Sequence, residues 1–174
     1  MVLWTNDRWF SIRAIARSPL HFMIHRFSQF VFTVLGIIFR HPVTGATVIP
    51  ILASGDIVLV RRRDNGQWGL PGGIIEWGEV IAATAQRELR EETGLELLKI
   101  ERLVGVYSAR DRDPRLHSIS ILIAASVSGS FNIEDNLEIT DVQAFSPENL
   151  PFGHLAHDHE QQLKDFLAGK TIIA

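Results

Sequence analysis

The chain has 174 residues, of which 46% are hydrophobic and 21% charged, and its formal net charge is −3. This length suffices for one domain with a real core, and the lack of a basic excess argues against a nucleic-acid-binding surface. The chain contains no cysteine, which excludes disulfides, thiolate metal sites and a cysteine nucleophile, and it fits a reducing, cytoplasmic compartment.

The first forty residues are hydrophobic without forming a typical membrane span. Between His21 and Phe39 the uninterrupted apolar stretch is only Phe30–Phe39, whereas a spanning helix needs about 20 residues. We interpret residues 1–40 as a helical extension that packs on a core or forms a contact between two copies in a homodimer. Contact with a membrane surface is the alternative, because tryptophans and arginines precede the apolar stretch.

Residues 41–174 predict a mixed sheet covered by helices, an α/β sandwich, because the strands and helices alternate too irregularly for a doubly wound parallel sheet. A turn is predicted at Pro42–Gly45 and a loop at Trp68–Gly73, where Gly and Pro interrupt the pattern. The predicted strands are Ala46–Ala53, Asp56–Arg62, Leu95–Val106, Leu116–Val127 and Thr140–Phe145. The predicted helices are Glu79–Thr93 and Asp158–Ala168.

The helix predicted at Glu79–Thr93 concentrates acidic residues at its C-terminal end. Glu88, Glu91 and Glu92 fall within one arc, because a helix advances about 100° per residue, and Gly94 ends the helix. Acidic side chains at this end oppose the helix dipole and repel one another. One interpretation is a solvated acidic face that neighbouring arginines partly neutralise. The second interpretation is a divalent-cation site, because Mg²⁺ prefers oxygen ligands. The unfavourable position of the acids on the helix favours this second interpretation.

The glycine pair before this helix supports a binding site. Gly72 and Gly73 allow close backbone approach, and a carbonyl exposed there would add an oxygen ligand. On a neighbouring arc of the helix, Ala82, Ala85 and Leu89 are expected to face the core. Neither GxxxxGK[ST] nor GxGxxG occurs in the chain, so the two common nucleotide-binding fingerprints are absent.

The segment from Gly73 to Leu95, GIIEWGEVIAATAQRELREETGL, resembles the complete signature of the Nudix hydrolases. Gly73 is followed after five residues by Glu79 and after seven more by RELREETGL, so every fixed position is filled. The flanking pattern fits from about Val43 to Leu167, which leaves the first forty residues outside the resemblance. The resemblance implies a Nudix-type α/β/α sandwich with a mixed β-sheet.

The resemblance also implies an activity, the hydrolysis of a nucleoside diphosphate linked to another group, with Mg²⁺ or alternatively Mn²⁺ as cofactor. The metal ligands that it implies are Glu88 and Glu92 as main ligands, Glu91 as an assisting group and the carbonyl of Gly72. Arg87 would hold Glu79 by a salt bridge and so brace the helix against the preceding loop.

The general base is left open by the sequence. Glu88 or Glu91 within the motif would accept the proton of the attacking water. Glu138, in NLEITDVQAF, matches a place where family members often carry a glutamate on a later loop, although a solvated acid at a strand edge fits equally well. Glu134 and Asp135 are weaker candidates.

Substrate contacts are predicted outside the motif. Asp113-Pro114-Arg115 resembles the loop of the ADP-ribose pyrophosphatase-like branch, where arginines clamp phosphate or ribose bidentately; a solvated turn is the alternative. Trp68 either stacks on a base or only packs against its neighbours. The predicted substrate-binding residues are Arg62, Trp68, Arg112 and Arg115.

The segment His154-Leu155-Ala156-His157-Asp158-His159 has the composition of a metal cluster. A similar Asp-His pair opens the last helix in the resembling branch, and we therefore interpret Asp158 as the N-cap of that helix.

These patterns predict a Mg²⁺-dependent pyrophosphohydrolase acting on ADP-ribose or a related nucleoside diphosphate sugar. The first alternative is a nucleoside triphosphate pyrophosphatase that removes damaged nucleotides, and WGLPGG fits both. An alternative of another class is a non-catalytic ligand-sensing module. The expected partner is a small-molecule nucleotide, with no nucleic acid, and the expected oligomer is a homodimer.

Overall fold

The strands of the chain pair into one mixed sheet in the computed structural model, which describes residues 29–31, 41–113 and 116–174. The described strands are β1 (Val43–Ile51), β2 (Ile57–Arg62), β3 (Trp68–Gly69), β4 (Gly72–Ile74), β5 (Leu95–Tyr107), β6 (Ser118–Gly129), β7 (Ile139–Phe145) and β8 (Ile172–Ile173). The described α-helices downstream of residue 41 are α1 (Ile81–Thr93) and α2 (His159–Leu167), and a 3₁₀ turn spans Pro147–Asn149.

The sheet combines parallel and antiparallel pairs. Its order is β3–β2–β1–β6–β5–β8, with β4 paired to β1 and β7 paired to β2. β1 runs parallel to β6 and β5 runs parallel to β8, whereas the remaining pairs are antiparallel. The predicted mixed sheet is confirmed.

Two hydrophobic cores lie on opposite faces of this sheet. Successive side chains of a strand point to opposite faces, and β1 accordingly places Val48 in one core and Ile49 in the other. Val48 packs with Ala85 and Leu89 of α1, while Ile49 packs in the core that contains Leu163 of α2. A helix therefore covers each face, which is the predicted α/β/α arrangement.

Two local predictions around the glycine-rich segment are wrong. β1 already begins at Val43, so Pro42–Gly45 is not a turn, and Trp68–Gly73 contains β3 and the start of β4 instead of forming a loop. The cause is a close approach between strands: Gly72 lies opposite Thr47, and a Cβ on Gly72 would collide with the backbone of β1. A glycine pair that indicated a loop locally is here a requirement of tight strand pairing.

The start of α1 also differs from the prediction. The helix begins at Ile81, and Glu79 precedes it, where its carboxylate accepts a hydrogen bond of 2.7 Å from the Thr84 hydroxyl. Thr84 is buried, whereas Ala82, expected in the core, is exposed. The prediction for Ala82 was wrong because it considered only apolar side chains, whereas a buried threonine that hydrogen-bonds Glu79 occupies the inner face.

The predicted extension at residues 1–40 lies almost wholly outside the described residues. Within it the structure describes residues 29–31, which are helical. Residues Pro42–Ala174 form one compact unit. Within the described part of the chain, no helix is long and apolar enough to cross a membrane. The division at residue 40 and the dimer or membrane contact of the extension stay predictions.

Gly94 ends α1 in the left-handed conformation, which glycine adopts without steric cost. Its φ is +77°, its N–H donates to the carbonyl of Arg90 over 2.9 Å, and an added Cβ would lie 2.6 Å from the amide nitrogen of Asn132. Gly94→Ala is therefore expected to lower the free energy of unfolding by about 2–4 kcal/mol, from left-handed strain plus overpacking.

Gly66 provides the matched control for this prediction, which urea denaturation would measure. Its φ is +70° and nothing lies within 4 Å of an added Cβ, so Gly66→Ala is expected to cost only the strain, about 1–2 kcal/mol. Equal losses in the two variants would show that the contact with Asn132 does not matter.

Candidate active site

A cavity of about 640 Å³ lies beside the acidic face of α1. The predicted site residues that line it are Arg62, Gly72, Arg87, Glu88, Glu91, Glu92, Arg112 and Glu138. Trp68 and Glu79 are not among the lining residues, and Arg115 lies outside the described residues. The fold thus brings together charged groups that are up to 76 residues apart in the chain, from Arg62 to Glu138.

Glu92 is the most buried carboxylate of the site. It is only 5% exposed, and its Oε2 accepts a hydrogen bond of 3.0 Å from the N–H of Gly72. Burial raises the pKa of Glu92 to about 8, and the nearby charges of Glu88 and Glu138 act in the same direction. A buried carboxylate with so little compensation is a position where a cation would be bound favourably.

Glu88 approaches the backbone of β4 closely. A Cβ on Gly73 would collide with the Glu88 carboxylate, so glycine at this position is what gives the side chain its place. Burial raises the pKa of Glu88, partly offset by its ion pair with Arg87. The glycine pair Gly72-Gly73 therefore serves both acids: one residue donates its N–H to Glu92 and the other leaves space for Glu88.

Arg87 links the loop before α1 to the acids on the helix. Its Nε donates to Oε1 of Glu79 over 3.0 Å and its Nη2 to Oε2 of Glu79 over 3.2 Å. This hydrogen bonding is the main cause that lowers the pKa of Glu79 to about 2. The arrangement has the geometry of the predicted brace. Arg87 also contacts two of the acids themselves, with Nη1 2.7 Å from Glu88 and 3.3 Å from Glu91.

Glu138 is held beside the motif by a loop that caps the C-terminal end of α1. The amides of Glu134 and Asp135 both donate to the carbonyl of Glu91 over 2.9 Å. The Asp135 carboxylate in turn accepts the N–H of Glu138 over 3.3 Å. Carbonyls that a helix end leaves unpaired thus anchor the loop, and the Glu138 charge acts on the pKa of Glu88 and of Glu92.

The acidic side chains at the cavity have the chemistry that a hard divalent cation requires. Glu88, Glu91 and Glu92 supply only oxygen ligands, which Mg²⁺ prefers, and the burial of Glu92 leaves negative charge to be neutralised. Within the described ranges, no group of three histidine or acidic side chains is placed to hold one metal ion. The carboxylates of Glu88 and Glu91 instead both accept hydrogen bonds from Nη1 of Arg87.

Arg112 lines the cavity, but its guanidinium has partners within the protein. Nε and Nη2 donate to the two carboxylate oxygens of Asp158 over 3.0 and 3.1 Å, and Nη1 donates to the hydroxyl of Ser118. Asp158 occupies the N-cap position of α2, as predicted, but its side chain makes no capping hydrogen bond. The bidentate arginine, which is stronger than a neutral donor, engages the carboxylate instead.

Trp68 packs in the α2-side core and does not line the cavity. Its ring lies 5.1 Å from that of Phe145 in an edge-to-face contact, and the guanidinium of Arg61 lies 6.0 Å above the ring. The packing alternative accounts for this tryptophan without a base. Its predicted contact with substrate stays a prediction.

His157 and His159 line the cavity, although the motif-based reasoning assigned them no role there. Their rings lie 5.9 Å apart, and within the described chain no metal-holding cluster includes them. Ser118 and Ser120, on β6 after the Asp-Pro-Arg loop, also line the cavity. The alternation of strand residues would have indicated the serines, whereas nothing local indicated which way the histidines point.

Comparison with known proteins assigns the family. The NUDIX domain model matches residues 41–168, nearly three quarters of the chain, and the chain belongs to this family.

Two relatives identify the enzyme class. An ADP-ribose pyrophosphatase of Methanocaldococcus jannaschii is 38% identical over 137 residues, which cover 77% of this chain and 78% of that protein. A putative 8-oxo-dGTP diphosphatase of Bacillus subtilis (strain 168) is 33% identical over 125 residues, 72% of this chain and 80% of that protein. The predicted class, a Nudix pyrophosphohydrolase, is confirmed.

Solved structures confirm the fold. The NUDIX domain of NrtR from Shewanella oneidensis, crystallised in complex with ADP ribose, superimposes with a TM-score of 0.68 at 22% identity, covering 82% of this chain and 97% of that one. A MutT NUDIX hydrolase from Burkholderia pseudomallei gives a TM-score of 0.63 at 27% identity over 72% of this chain and 98% of the other. The predicted mixed α/β sandwich is shared by both.

Proposed function

We propose that this chain hydrolyses the pyrophosphate bond of ADP-ribose or of a related nucleoside diphosphate sugar, with Mg²⁺ as cofactor. The observation that carries the proposal is the buried carboxylate of Glu92 beside Glu88, at a cavity large enough for a nucleoside diphosphate. The archaeal relative, named as an ADP-ribose pyrophosphatase, supports the substrate.

The acidic residues have separate tasks in this proposal. Glu88 and Glu92 would hold the metal, with Glu91 assisting and the carbonyl of Gly72 as a further ligand. When bound, Mg²⁺ (or Mn²⁺) supplies charge neutralisation of the pyrophosphate and lowers the pKa of the attacking water. Glu92 is suited to this task because the N–H of Gly72 fixes one of its oxygens.

Glu138 accepts the proton of the attacking water in the proposed mechanism. Its carboxylate lines the cavity, and its backbone is anchored to α1 through the Asp135 loop. A base placed on an element other than the metal helix can face the water while Glu88 and Glu92 hold the cation. Glu91 is the alternative base, and its carboxylate lies 3.3 Å from Nη1 of Arg87.

Replacing this base gives a direct prediction. Glu138→Gln is expected to lower kcat by roughly 10²- to 10⁴-fold, the usual contribution of a positioned general base, with little change in KM. Glu134→Gln is the matched control, because this neighbouring acid does not line the cavity, and it is expected to retain activity. A large loss in the Glu134 variant and none in the Glu138 variant would refute the assignment; steady-state kinetics measures both.

Arginines supply the positive side of the cavity. Arg62 lines it from the end of β2 and forms a two-point ion pair with Asp64. Its charge acts on the pKa of Glu92, which places it near the metal side. Arg112 reinforces the wall through Asp158, and Arg115 and Trp68 remain predicted contacts with the sugar or base.

A nucleoside triphosphate pyrophosphatase is the second candidate, favoured by the Bacillus subtilis relative. A substrate panel with Mg²⁺ separates the candidates: ADP-ribose plus water should yield AMP and ribose 5-phosphate, whereas 8-oxo-dGTP would yield a monophosphate and pyrophosphate. Carrying out the reaction in ¹⁸O-labelled water identifies the phosphorus that is attacked. Binding of ADP-ribose without any turnover across the panel would favour the ligand-sensing module and refute the enzyme.

A cytoplasmic homodimer without nucleic-acid contact completes the proposal. It is supported by the apolar character of residues 1–40 and by the slightly acidic composition. Sedimentation velocity of the full chain would test it, and a monomer at micromolar concentration would refute the dimer.

A further inference from the structure

His159, the first residue of α2, has a buried imidazole whose protonation is defined by its partner. The backbone N–H of Leu70 donates to Nδ1 over 3.0 Å, so Nδ1 carries a lone pair and the ring proton sits on Nε2. His159 is only 8% exposed. Burial lowers the pKa of its imidazole, which agrees with a neutral ring. His159 is therefore a fixed hydrogen-bond donor through Nε2.

The orientation of this ring is set by close packing. A Cβ on Gly69 would lie 3.0 Å from Nδ1 and 3.3 Å from Cε1, so the glycine of β3 allows the ring to lie against the strand. The ring of His157 packs edge-to-face against the ring of His159, with 5.9 Å between the ring centroids. These contacts hold the imidazole in one position at the wall of the cavity.

The imidazole of His159 lies at the same cavity as the acidic residues of α1. His159 lines the same cavity as Glu92, and the charge of Arg62 acts on both residues. Among the described residues, the His159 side chain makes one hydrogen bond, the one that Nδ1 accepts from Leu70. The N–H at Nε2 thus has no acceptor among the described residues, and an anionic group entering the cavity would provide one.

A metal ion is the wrong partner for this nitrogen. Ligation through Nε2 requires its lone pair, and the proton would then have to move to Nδ1, which already accepts the N–H of Leu70. Two N–H groups would then face each other. The histidine is therefore suited to an acceptor oxygen and not to a cation.

We propose that His159 is a substrate-contacting residue whose Nε2–H donates to a non-bridging phosphate oxygen of the pyrophosphate, next to Arg62. The inference rests on the proposed function for the identity of the substrate. What the inference adds is a second contact to the phosphate: a neutral N–H donor on α2 beside the positive charge of Arg62 on β2.

Two substitutions separate this role from a structural one. His159→Asn places an acceptor near the position of Nδ1 and keeps the bond from Leu70, but it has no donor at the position of Nε2. His159→Gln places an amide N–H near the position of Nε2 and gives up the buried acceptor. A substrate contact predicts that His159→Gln retains more kcat/KM than His159→Asn, whereas a purely structural role predicts the reverse order.

The expected loss of kcat/KM for His159→Asn is roughly 10- to 100-fold, the usual effect of removing a hydrogen bond to a charged group. The melting temperature and its increase with Mg²⁺ should stay near those of the wild type. An equal loss in both variants with a matching fall in melting temperature would overturn the proposal, as would wild-type kcat/KM in His159→Asn.

A spectroscopic measurement does not depend on turnover. In protein labelled with ¹⁵N-histidine, the His159 signals, assigned by their absence in His159→Asn, should show a neutral ring protonated at Nε2. They should shift on addition of the methylene-bridged analogue of ADP-ribose, which cannot be hydrolysed at that bond. A shift without turnover of any nucleotide by the wild type would refute the proposed function and support the contact; turnover without a shift would refute the contact alone.

Discussion

Glu92→Gln is expected to reduce hydrolysis on the order of a thousandfold while leaving the fold intact. The substitution keeps the shape of the side chain and its acceptor for the N–H of Gly72, but it removes the charge that would bind the cation. Loss of electrostatic stabilisation at the reacting phosphate typically costs this much. Steady-state kinetics with ADP-ribose over a range of Mg²⁺ concentrations would measure it.

The thermal stability of the same variant supplies an independent readout. Mg²⁺ should raise the melting temperature of the wild type, because a ligand that binds only the folded state stabilises it, and it should raise that of Glu92→Gln much less. Glu148→Gln, at an exposed position away from the cavity, is the matched control and should respond like the wild type. Unchanged turnover in Glu92→Gln would show that the metal assignment is wrong.

The metal-free protein should respond to pH in a defined direction. The pKa of Glu92 is raised to about 8 in the folded state from an ordinary 4.5, so between these values the folded state binds a proton that the unfolded state releases. The contribution of Glu92 to stability therefore falls as pH rises from about 5 to about 8, and Gln has no such dependence. In the presence of a chelator, Glu92→Gln should gain stability relative to the wild type across this range; a constant difference would contradict the burial argument.

Arg87→Met is expected to affect both stability and activity. The guanidinium joins Glu79, Glu88 and Glu91, so its removal leaves three carboxylates without their shared cation and releases the loop before α1. Residues that orient ligands typically contribute 10- to 100-fold to activity, and we expect a loss of that size together with a lower melting temperature.

Arg90→Met is the control on the same helix. Arg90 is exposed, so its methionine variant should keep near-normal activity and melting temperature. Arg87→Lys, which keeps the charge but lacks the planar fork, should fall between the wild type and Arg87→Met. Similar results for the two methionine variants would show that helix charge alone, and not the brace, is at work.

The part of the site that is local in sequence was predictable. Spacing within one helix places Glu88 and Glu92 one turn apart whatever the rest of the fold does, and a left-handed glycine at Gly94 ends the helix by a local steric rule. The amphipathic alternation of β1 likewise predicts a strand with two faces. These features depend on a few neighbouring residues, which is why the sequence pattern was sufficient.

The differences from the prediction arose where a distant segment supplies a partner that no local pattern indicates. Asp158 has the sequence context of a helix cap, but the bidentate guanidinium of Arg112, 46 residues earlier, takes its carboxylate. Gly72 has the local signature of a loop, but the pairing of β4 with β1 makes it part of a strand. Such outcomes depend on which partner is close after folding, and no local rule ranks partners from different elements.

By itself, the sequence determined the acids on one helix, the glycine pair before it and the C-terminal end of that helix, because each follows from backbone geometry over a few residues. Only the tertiary structure decided that Glu138 lines the same cavity as the motif, that Arg112 binds Asp158 and that His159 pairs with Leu70 at the cavity wall. These contacts form because loops and strands far apart in the chain satisfy one another's unpaired polar groups when the two cores pack.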